Sequence, residues 1–216
     1  MLEILVSLFI TAAIVAAFVG APTEFMMGDV QRIFYFHVPS AWIAFIAYFL
    51  VFCCSIAYLA TRKTAWDRKA LAAAEVGTLF CTIVLLTGPL WAKPVWGIWW
   101  TWDARLTSTF VLWLIYLSYL LLRSALKDSP KTALLSAVVG ILGFLDVPVV
   151  YFAIRLWRTQ HPKPVIFGGA KSGLEPAMYW TLMLCWLALT LLFALLMRHR
   201  VQLLDWEARV REREER

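Results

Sequence analysis

The sequence predicts an all-α, polytopic integral membrane protein with six transmembrane helices and both termini in the cytoplasm. Three observations carry this prediction: the composition, the length of the apolar runs and the distribution of lysine and arginine. The chain has 216 residues, of which 62% are hydrophobic and 16% are charged, and its mean hydropathy is +0.74. Soluble domains are about 45–50% apolar and about 25% charged, and a soluble fold of this size could not cover so much apolar surface.

Six apolar runs are long enough to cross a bilayer, which takes about 20 residues of helix. They cover residues 2–20, 38–60, 71–92, 106–123, 132–153 and 176–197. A cleaved signal peptide normally has basic residues before its apolar region. No basic residue precedes the first run, so we expect it to remain as a transmembrane helix. The chain therefore divides into a six-helix membrane domain, residues 1–200, and a charged cytoplasmic tail, residues 201–216.

The depth in the bilayer of a histidine and two acidic residues can be predicted from their positions in or beside these runs. Pro39 falls in the first turn of the second helix, where its missing N–H costs little, so His37 lies close to the outer end of that helix. Glu75 lies near the inner end of the third helix, within reach of the interface. Asp146 precedes Pro148 deeper in the fifth helix, and we expect it to have a buried partner where the proline breaks the helix.

The positive charges distinguish the two sides of the membrane. Residues 61–70, residues 123–131 and the tail from Arg198 together hold 13 lysines and arginines, whereas the opposite connections hold seven. Such an excess marks the cytoplasmic side. The first, third and fifth connections are therefore predicted to lie outside.

The cysteines give no sign of a metal or redox site. Cys53, Cys54, Cys81 and Cys185 all lie in apolar runs, without a CxxC pair. We interpret them as small packing residues.

The third connection, with its flanks at residues 91–106, is rich in tryptophan. Its tryptophans are Trp91, Trp96, Trp99, Trp100 and Trp102. Such rings anchor helices at membrane interfaces, and they also form platforms for flat ligands; the residues alone leave both interpretations open. Gly97 allows close backbone approach. Asp103 is acidic where an unpaired charge is costly, and we expect it to orient Arg105 or a tryptophan N–H.

Two of the three histidines lie on the same predicted side as the tryptophans. His37 precedes the second helix and His161 lies 124 residues later in the fifth connection, whereas His199 lies on the cytoplasmic side. Two neutral imidazoles across a flat apolar slot suit the iron of haem. Zinc and copper are disfavoured because no third His, Cys or acidic cluster accompanies the pair.

Basic residues on this side have two interpretations, as partners of the haem propionates or of lipid headgroups. They are Arg32, Lys93, Arg105, Arg155, Arg158 and Lys163. Arg105 is the most constrained of them, because it follows Asp103 by two residues.

Three functional classes follow from these residues. The first is a haem-binding and transfer protein, and the second is a bis-histidine membrane cytochrome b in electron transfer. The third, a small-molecule transporter, would need paired broken helices with polar midspan residues, and only the fifth run offers one. Ligands at helix ends on one face favour capture and release over electron transfer, in which such ligands usually lie within helices.

The motifs resemble those of the tryptophan-rich WWD family of haem-handling membrane proteins. The segment WGIWWTWDARLTS, read with RIFYFHVPSAW and LWRTQHP, carries the resemblance, which covers essentially the whole chain. The family pattern WGxxWxWD is matched in full by Trp96, Gly97, Trp100, Trp102 and Asp103. WWD synthases that attach haem to apocytochrome are larger, so this chain resembles the shorter branch that serves cytochrome c maturation.

The resemblance implies a haem-transfer subunit of a transporter-like complex rather than an enzyme. It implies that haem b is bound transiently at the periplasmic face of the bacterial inner membrane and handed to the haem chaperone CcmE. CcmD and the ATP-binding cassette subunits CcmA and CcmB would complete the complex. His37 and His161 would be the axial ligands of the iron. The platform would consist of Trp96, Gly97, Trp99, Trp100, Trp102, Asp103 and Arg105.

Overall fold

The computed structural model describes residues 1–127, 129–161, 166 and 173–214. Within these ranges the chain forms helices joined by turns and short irregular segments, without a strand. The helices are α1 (Leu2–Val15), α2 (Phe34–Thr61), α3 (Thr64–Trp96), α4 (Ala104–Ala125), α5 (Thr132–Phe144), α6 (Asp146–Leu156) and α7 (Pro176–Glu214). A π-helical segment, Ala16–Gly20, extends α1, and a 3-10 segment, Asp29–Ile33, leads into α2.

The predicted set of six membrane spans is confirmed, because six helical segments of the described chain have the length and hydropathy of a span. Together α5 and α6 form one of them, Thr132–Leu156. Five of the six spanning segments are longer than the corresponding apolar runs. The third span, α3, reaches Trp96, so Trp96 as well as Trp91 lies on a helix. The sixth span, α7, continues to Glu214, so the charged tail continues this helix as far as it is described.

Small residues allow the helices to approach each other closely. A Cβ atom at Gly77 on α3 would lie only 2.8 Å from Cβ of Ala47 on α2. At the next residue of α2, the ring of Tyr48 stacks on that of Tyr116 on α4, with the ring centroids 3.7 Å apart. Glycines and alanines at helix contacts are typical of membrane proteins, where van der Waals packing replaces the hydrophobic effect between helices. The α2–α3 pair has the most extensive contact between helices in the described part of the chain.

Ion pairs join the helix ends at the side that holds the connection between α2 and α3, which we call the basic end. Arg123 Nη1 and Nη2 donate to the two carboxylate oxygens of Asp67 at 2.6 and 2.8 Å. Arg200 on α7 pairs with Glu75 on α3 through two hydrogen bonds. Glu75 is therefore half-buried with a partner that the sequence did not reveal.

The fifth span is interrupted at Leu145, where α5 ends and α6 begins. Pro148 lies in the first turn of α6 and has no N–H to donate. The buried partner expected for Asp146 is not found in the described part of the chain: its Oδ2 atom is buried there without a hydrogen bond. The predicted break in the helix is therefore confirmed, and the partner of Asp146 stays a prediction.

Candidate functional site

A cleft opens between the helices at the side opposite to the basic end. Seven residues with aromatic, imidazole or basic side chains line it: His37, Phe45, Trp91, Trp96, Trp100, Arg105 and His161. Mostly apolar side chains from α2, α3, α4 and α6 form the rest of its wall, and the space between the walls is about 870 Å³ when the open solvent at its mouth is included. We call it the histidine cleft. Residues from both halves of the chain line it. This agrees with the prediction that the first, third and fifth connections lie on the same side of the membrane.

His37 enters the cleft from the first turn of α2. Its side chain is only 7% exposed, and its Nδ1 atom lies 2.8 Å from the hydroxyl oxygen of Thr87 on α3. The edge of its ring faces Trp91, with centroids 6.0 Å apart and an angle of 70° between the planes. A Cβ at Gly88 would lie 3.5 Å from Cε1 of His37, so the imidazole lies against the backbone of α3.

His161 reaches the same cleft from the segment that follows α6. Its backbone N–H donates to the Thr159 hydroxyl at 3.1 Å, which forms a local turn. The preceding residue, Gln160, donates its N–H to Oδ2 of Asp103 at 3.3 Å. Pro162, the residue that follows His161, lies outside the described residues.

Asp103 links the tryptophan connection to the His161 segment. Its Oδ1 accepts the backbone N–H groups of Arg105 and Leu106, both at 3.0 Å, so it is the N-cap of α4. Burial alone would raise the pKa of Asp103. The hydrogen bonds, of which that from the Leu106 N–H is the largest, outweigh this and hold the pKa below its ordinary value. Asp103 does not line the cleft. Its observed contacts instead hold the start of α4 and the segment before His161 together.

The tryptophans divide into two groups. Trp91, Trp96 and Trp100 line the histidine cleft, whereas Trp99 and Trp102 are 55% and 74% exposed and do not line it. Both groups remain in contact, since the rings of Trp100 and Trp102 meet edge to face at 5.7 Å.

Gly97 produces this division. Its φ of 77° lies in the left-handed region that glycine adopts readily, and its N–H donates to the Lys93 carbonyl at 3.0 Å. It therefore ends α3 and turns the chain, so that Trp96 and Trp100 face one space from either side of the turn. Gly97 itself does not line the cleft.

Arg105 is the one described member of the six predicted basic residues that lines the cleft. Its Nη1 donates to the Val150 carbonyl on α6 at 3.3 Å. Arg32 and Lys93 instead donate to backbone carbonyls of Ala17 and Gly97. The propionate interpretation is therefore supported by position for Arg105 among the described basic residues, and Lys163 lies outside them.

The chemistry of the cleft fits a flat, mostly apolar ligand that carries a metal and acidic groups. Two imidazoles supply metal ligands, and Arg105 supplies a cation. Nε1 of Trp91 and Nε1 of Trp100 are buried and have no hydrogen-bond partner among the described residues. Because buried donors are normally hydrogen-bonded, a bound ligand with acceptor groups would satisfy them. The described ranges contain no cluster of three His, Cys, Asp or Glu side chains that could hold a bare metal ion. Haem has the shape, the iron and the carboxylates that these groups require.

Comparison with known proteins agrees with this chemistry. The family model described as Heme exporter protein C, CcmC, matches residues 1–216. The chain belongs to the CcmC family. A Heme exporter protein C of Bradyrhizobium diazoefficiens is 35% identical over 176 residues, which are 82% of this chain and 67% of the relative. That of Haemophilus influenzae is 33% identical over 196 residues, 88% of this chain and 78% of the relative.

A plant relative shares the same similarity over a shorter stretch. The putative cytochrome c biosynthesis ccmC-like mitochondrial protein of Marchantia polymorpha is 36% identical over 154 residues, 71% of this chain. The aligned part is 65% of that relative's length. This chain therefore spans about two thirds of the length of the first relatives that it matches.

For this member of the CcmC family, sequence reasoning missed Thr87 and did not include Trp91 among the expected haem contacts. Thr87 contacts His37 across the α2–α3 interface, 50 positions away in the chain. The signal that could have revealed it is the TGP segment, a polar residue followed by glycine and proline near the end of an apolar run. Such a residue in a span calls for a partner, but the sequence does not say which one.

Proposed function

We propose that this protein binds haem b transiently in the histidine cleft, on the periplasmic face of the bacterial inner membrane, and delivers it to the haem chaperone CcmE for c-type cytochrome biogenesis. The observation that carries the proposal is the convergence of His37 and His161 in one tryptophan-lined cleft. The names of the relatives, which are heme exporter and cytochrome c biosynthesis proteins, support it.

His37 and His161 are the proposed axial ligands. Neutral imidazoles coordinate haem iron in six-coordinate, low-spin sites. They come from different segments, one from the first turn of α2 and one from the connection after α6. A ligand on a connection can withdraw without unfolding a helix, so coordination of this kind allows release as well as binding.

Arg105, Trp91 and Trp100 are the proposed partners of the haem carboxylates. A guanidinium can bind a carboxylate through two parallel hydrogen bonds, and Arg105 already has one N–H engaged by the Val150 carbonyl, which aims the group. The indole N–H groups of Trp91 and Trp100 add neutral donors on the same wall. Their rings, together with that of Trp96, supply the apolar faces against which a porphyrin stacks.

Trp99 and Trp102 are the proposed contact with the acceptor of the haem. They are exposed next to the cleft, and large exposed aromatic groups mark interaction sites. CcmE is the proposed acceptor, and CcmA, CcmB and CcmD are the proposed further members of the complex. The proposed role of this chain is then to bind haem and present it to the acceptor, without catalysing a reaction.

The sidedness of the cleft rests on the distribution of positive charge. The connections and tail on the predicted cytoplasmic side carry 13 lysines and arginines, against seven in the other connections. This excess supports a position of the histidine cleft outside the cytoplasm. The alternative function, electron transfer by a bis-histidine cytochrome b, requires a permanently held haem. The position of His161 on a connection favours transfer.

Purified protein tests the proposal directly. The protein in detergent should bind added haem with a low-spin spectrum, and purified CcmE should remove that haem. The family resemblance implies that CcmE takes haem through a histidine of its own, so a matched CcmE variant without that histidine is the control. Absence of a Soret band would overturn the proposal, and haem retained equally with both forms of CcmE would favour the cytochrome b function.

A further inference from the structure

A hydrogen bond between α2 and α3 determines which nitrogen of His37 faces a ligand. Nδ1 of His37 and Oγ1 of Thr87 lie 2.8 Å apart. In the described part of the chain, Nε2 of His37 takes part in no hydrogen bond. The two nitrogens of a neutral imidazole differ, since one carries the proton and the other carries the lone pair that binds a metal.

The hydroxyl of Thr87 has one proton, and the helix engages it. Oγ1 of Thr87 donates to the carbonyl of Ile83, four residues earlier, at 2.6 Å. The carbonyl of Val84 lies farther away, at 3.4 Å. Serine and threonine in membrane helices commonly donate in this way. Thr87 is then left with lone pairs alone for His37, so Nδ1 of His37 must be the donor.

We propose that Thr87 is a positioning residue that holds His37 as the Nδ1–H tautomer and thereby keeps Nε2 unprotonated and ready to bind iron. This inference rests on the proposed function for the metal, but the tautomer itself can be measured without haem. Partners on the second nitrogen orient a ligating histidine and raise its basicity, and their loss typically lowers metal affinity by about 10- to 100-fold.

Close packing reinforces the hydrogen bond. Gly88 lets the backbone of α3 approach the imidazole, since a Cβ there would touch Cε1 of His37 at 3.5 Å. Trp91, one turn further on, meets the same ring edge to face. Thr87, Gly88 and Trp91 thus surround His37 from one helix, and Thr87 is the one that distinguishes between its two nitrogens.

Three variants separate positioning from folding. Thr87→Val keeps the shape of the side chain and removes the acceptor, whereas Thr87→Ser keeps the acceptor. Thr82→Val is the matched control, because Thr82 on the same helix also donates to a carbonyl, that of Thr78, and accepts the Trp113 N–H at 2.8 Å, away from His37.

The first measurement uses haem-free protein labelled with 15N-histidine, at about pH 8, where imidazoles are neutral. His37→Gln identifies the His37 signals. We expect a protonated Nδ1 and an unprotonated Nε2 in the wild type, in Thr87→Ser and in Thr82→Val, and a mixture of tautomers in Thr87→Val. An Nε2–H tautomer in the wild type, or an unchanged tautomer in Thr87→Val, would overturn the inference.

The second measurement uses haem. Thr87→Val should lower haem affinity about 10-fold and raise the reduction potential, because a less basic imidazole stabilises ferric iron less. Thr87→Ser should restore both. If wild-type protein showed the expected tautomer but bound no haem, the proposed function would fail while the assignment of Thr87 to the tautomer stood. Equal affinity and potential in Thr87→Val and the wild type would refute the positioning role.

Discussion

Oδ2 of Asp103 accepts the backbone N–H of Gln160 at 3.3 Å, across 57 positions of sequence. This bond joins the tryptophan connection, where α4 begins, to the segment that carries His161. Its partner oxygen, Oδ1, caps α4. The acidic residue of the WWD pattern is therefore placed to keep the aromatic wall and one proposed iron ligand in register.

Asp103→Ala should weaken both functions of this carboxylate. Loss of the N-cap should lower the free energy of unfolding by about 0.5–2 kcal/mol, and loss of the Gln160 bond should loosen His161 and lower haem affinity. Thermal unfolding in detergent and haem titration measure the two effects. Asp29→Ala is the control, because Asp29 is 81% exposed and pairs only with Arg32 beside it among the described contacts. Equal haem affinity in the two variants would contradict the bracing role.

The pH dependence of this contribution follows from the lowered pKa of Asp103. The stabilisation is fully present above the unfolded value of about 3.9, and it is lost as pH falls through the lower pKa of the folded state. The difference in melting temperature between the wild type and Asp103→Ala should therefore be constant from about pH 8 to about pH 5. It should shrink only below about pH 4. A difference that already declined between about pH 7 and about pH 5 would show that Asp103 is not held ionised by these donors.

Replacement of either proposed axial ligand should change the spectrum of bound haem without abolishing binding. His37→Ala and His161→Ala each remove one imidazole, and the aromatic wall continues to hold the porphyrin. Absorption spectra of the purified variants should show loss of the six-coordinate, low-spin bands. His199→Ala is the matched control, since His199 lies near Glu3, 3.5 Å away, on the opposite side of the fold. A loss of the low-spin bands in His199→Ala alone would contradict the site.

The two groups of tryptophans should separate binding from transfer. Trp100→Ala removes a ring of the cleft wall, and with about 0.5–1.5 kcal/mol per aromatic contact we expect haem affinity to fall about 2- to 10-fold. Trp102→Ala should leave affinity nearly unchanged and slow transfer to CcmE. Trp180, 69% exposed at the start of α7, supplies the control variant Trp180→Ala. If all three variants bound and transferred haem like the wild type, the rings would be only an interfacial belt.

Thiol labelling in intact cells tests the sidedness. In a cysteine-free background, Met26→Cys lies in the first connection, where Met26 is 83% exposed, and Lys127→Cys lies beyond α4 at the basic end. The charge distribution predicts that an impermeant reagent labels position 26 and spares position 127 until the membrane is opened. The reverse pattern would place the histidine cleft on the cytoplasmic side and rule out delivery to a periplasmic chaperone.

Sequence alone predicted the six spans because membrane insertion depends on properties that add along the chain. A run of about 20 apolar residues is long enough to cross the bilayer as a helix, and this property does not depend on its neighbours in the fold. An even number of spans then brings the ends of alternate helices to one side. His37, the tryptophan connection and His161 could therefore be assigned to one face without knowledge of their contacts.

Only the tertiary structure decided which side chains meet, because rotation of each helix about its axis and the distance between helices are set by packing. Packing turns Trp91 into the cleft and leaves Trp102 outside it. It also pairs Glu75 with Arg200, which are 125 positions apart. The same close approach of α2 and α3 that Gly77 permits places Thr87 beside His37, and no periodicity in either segment encodes that contact.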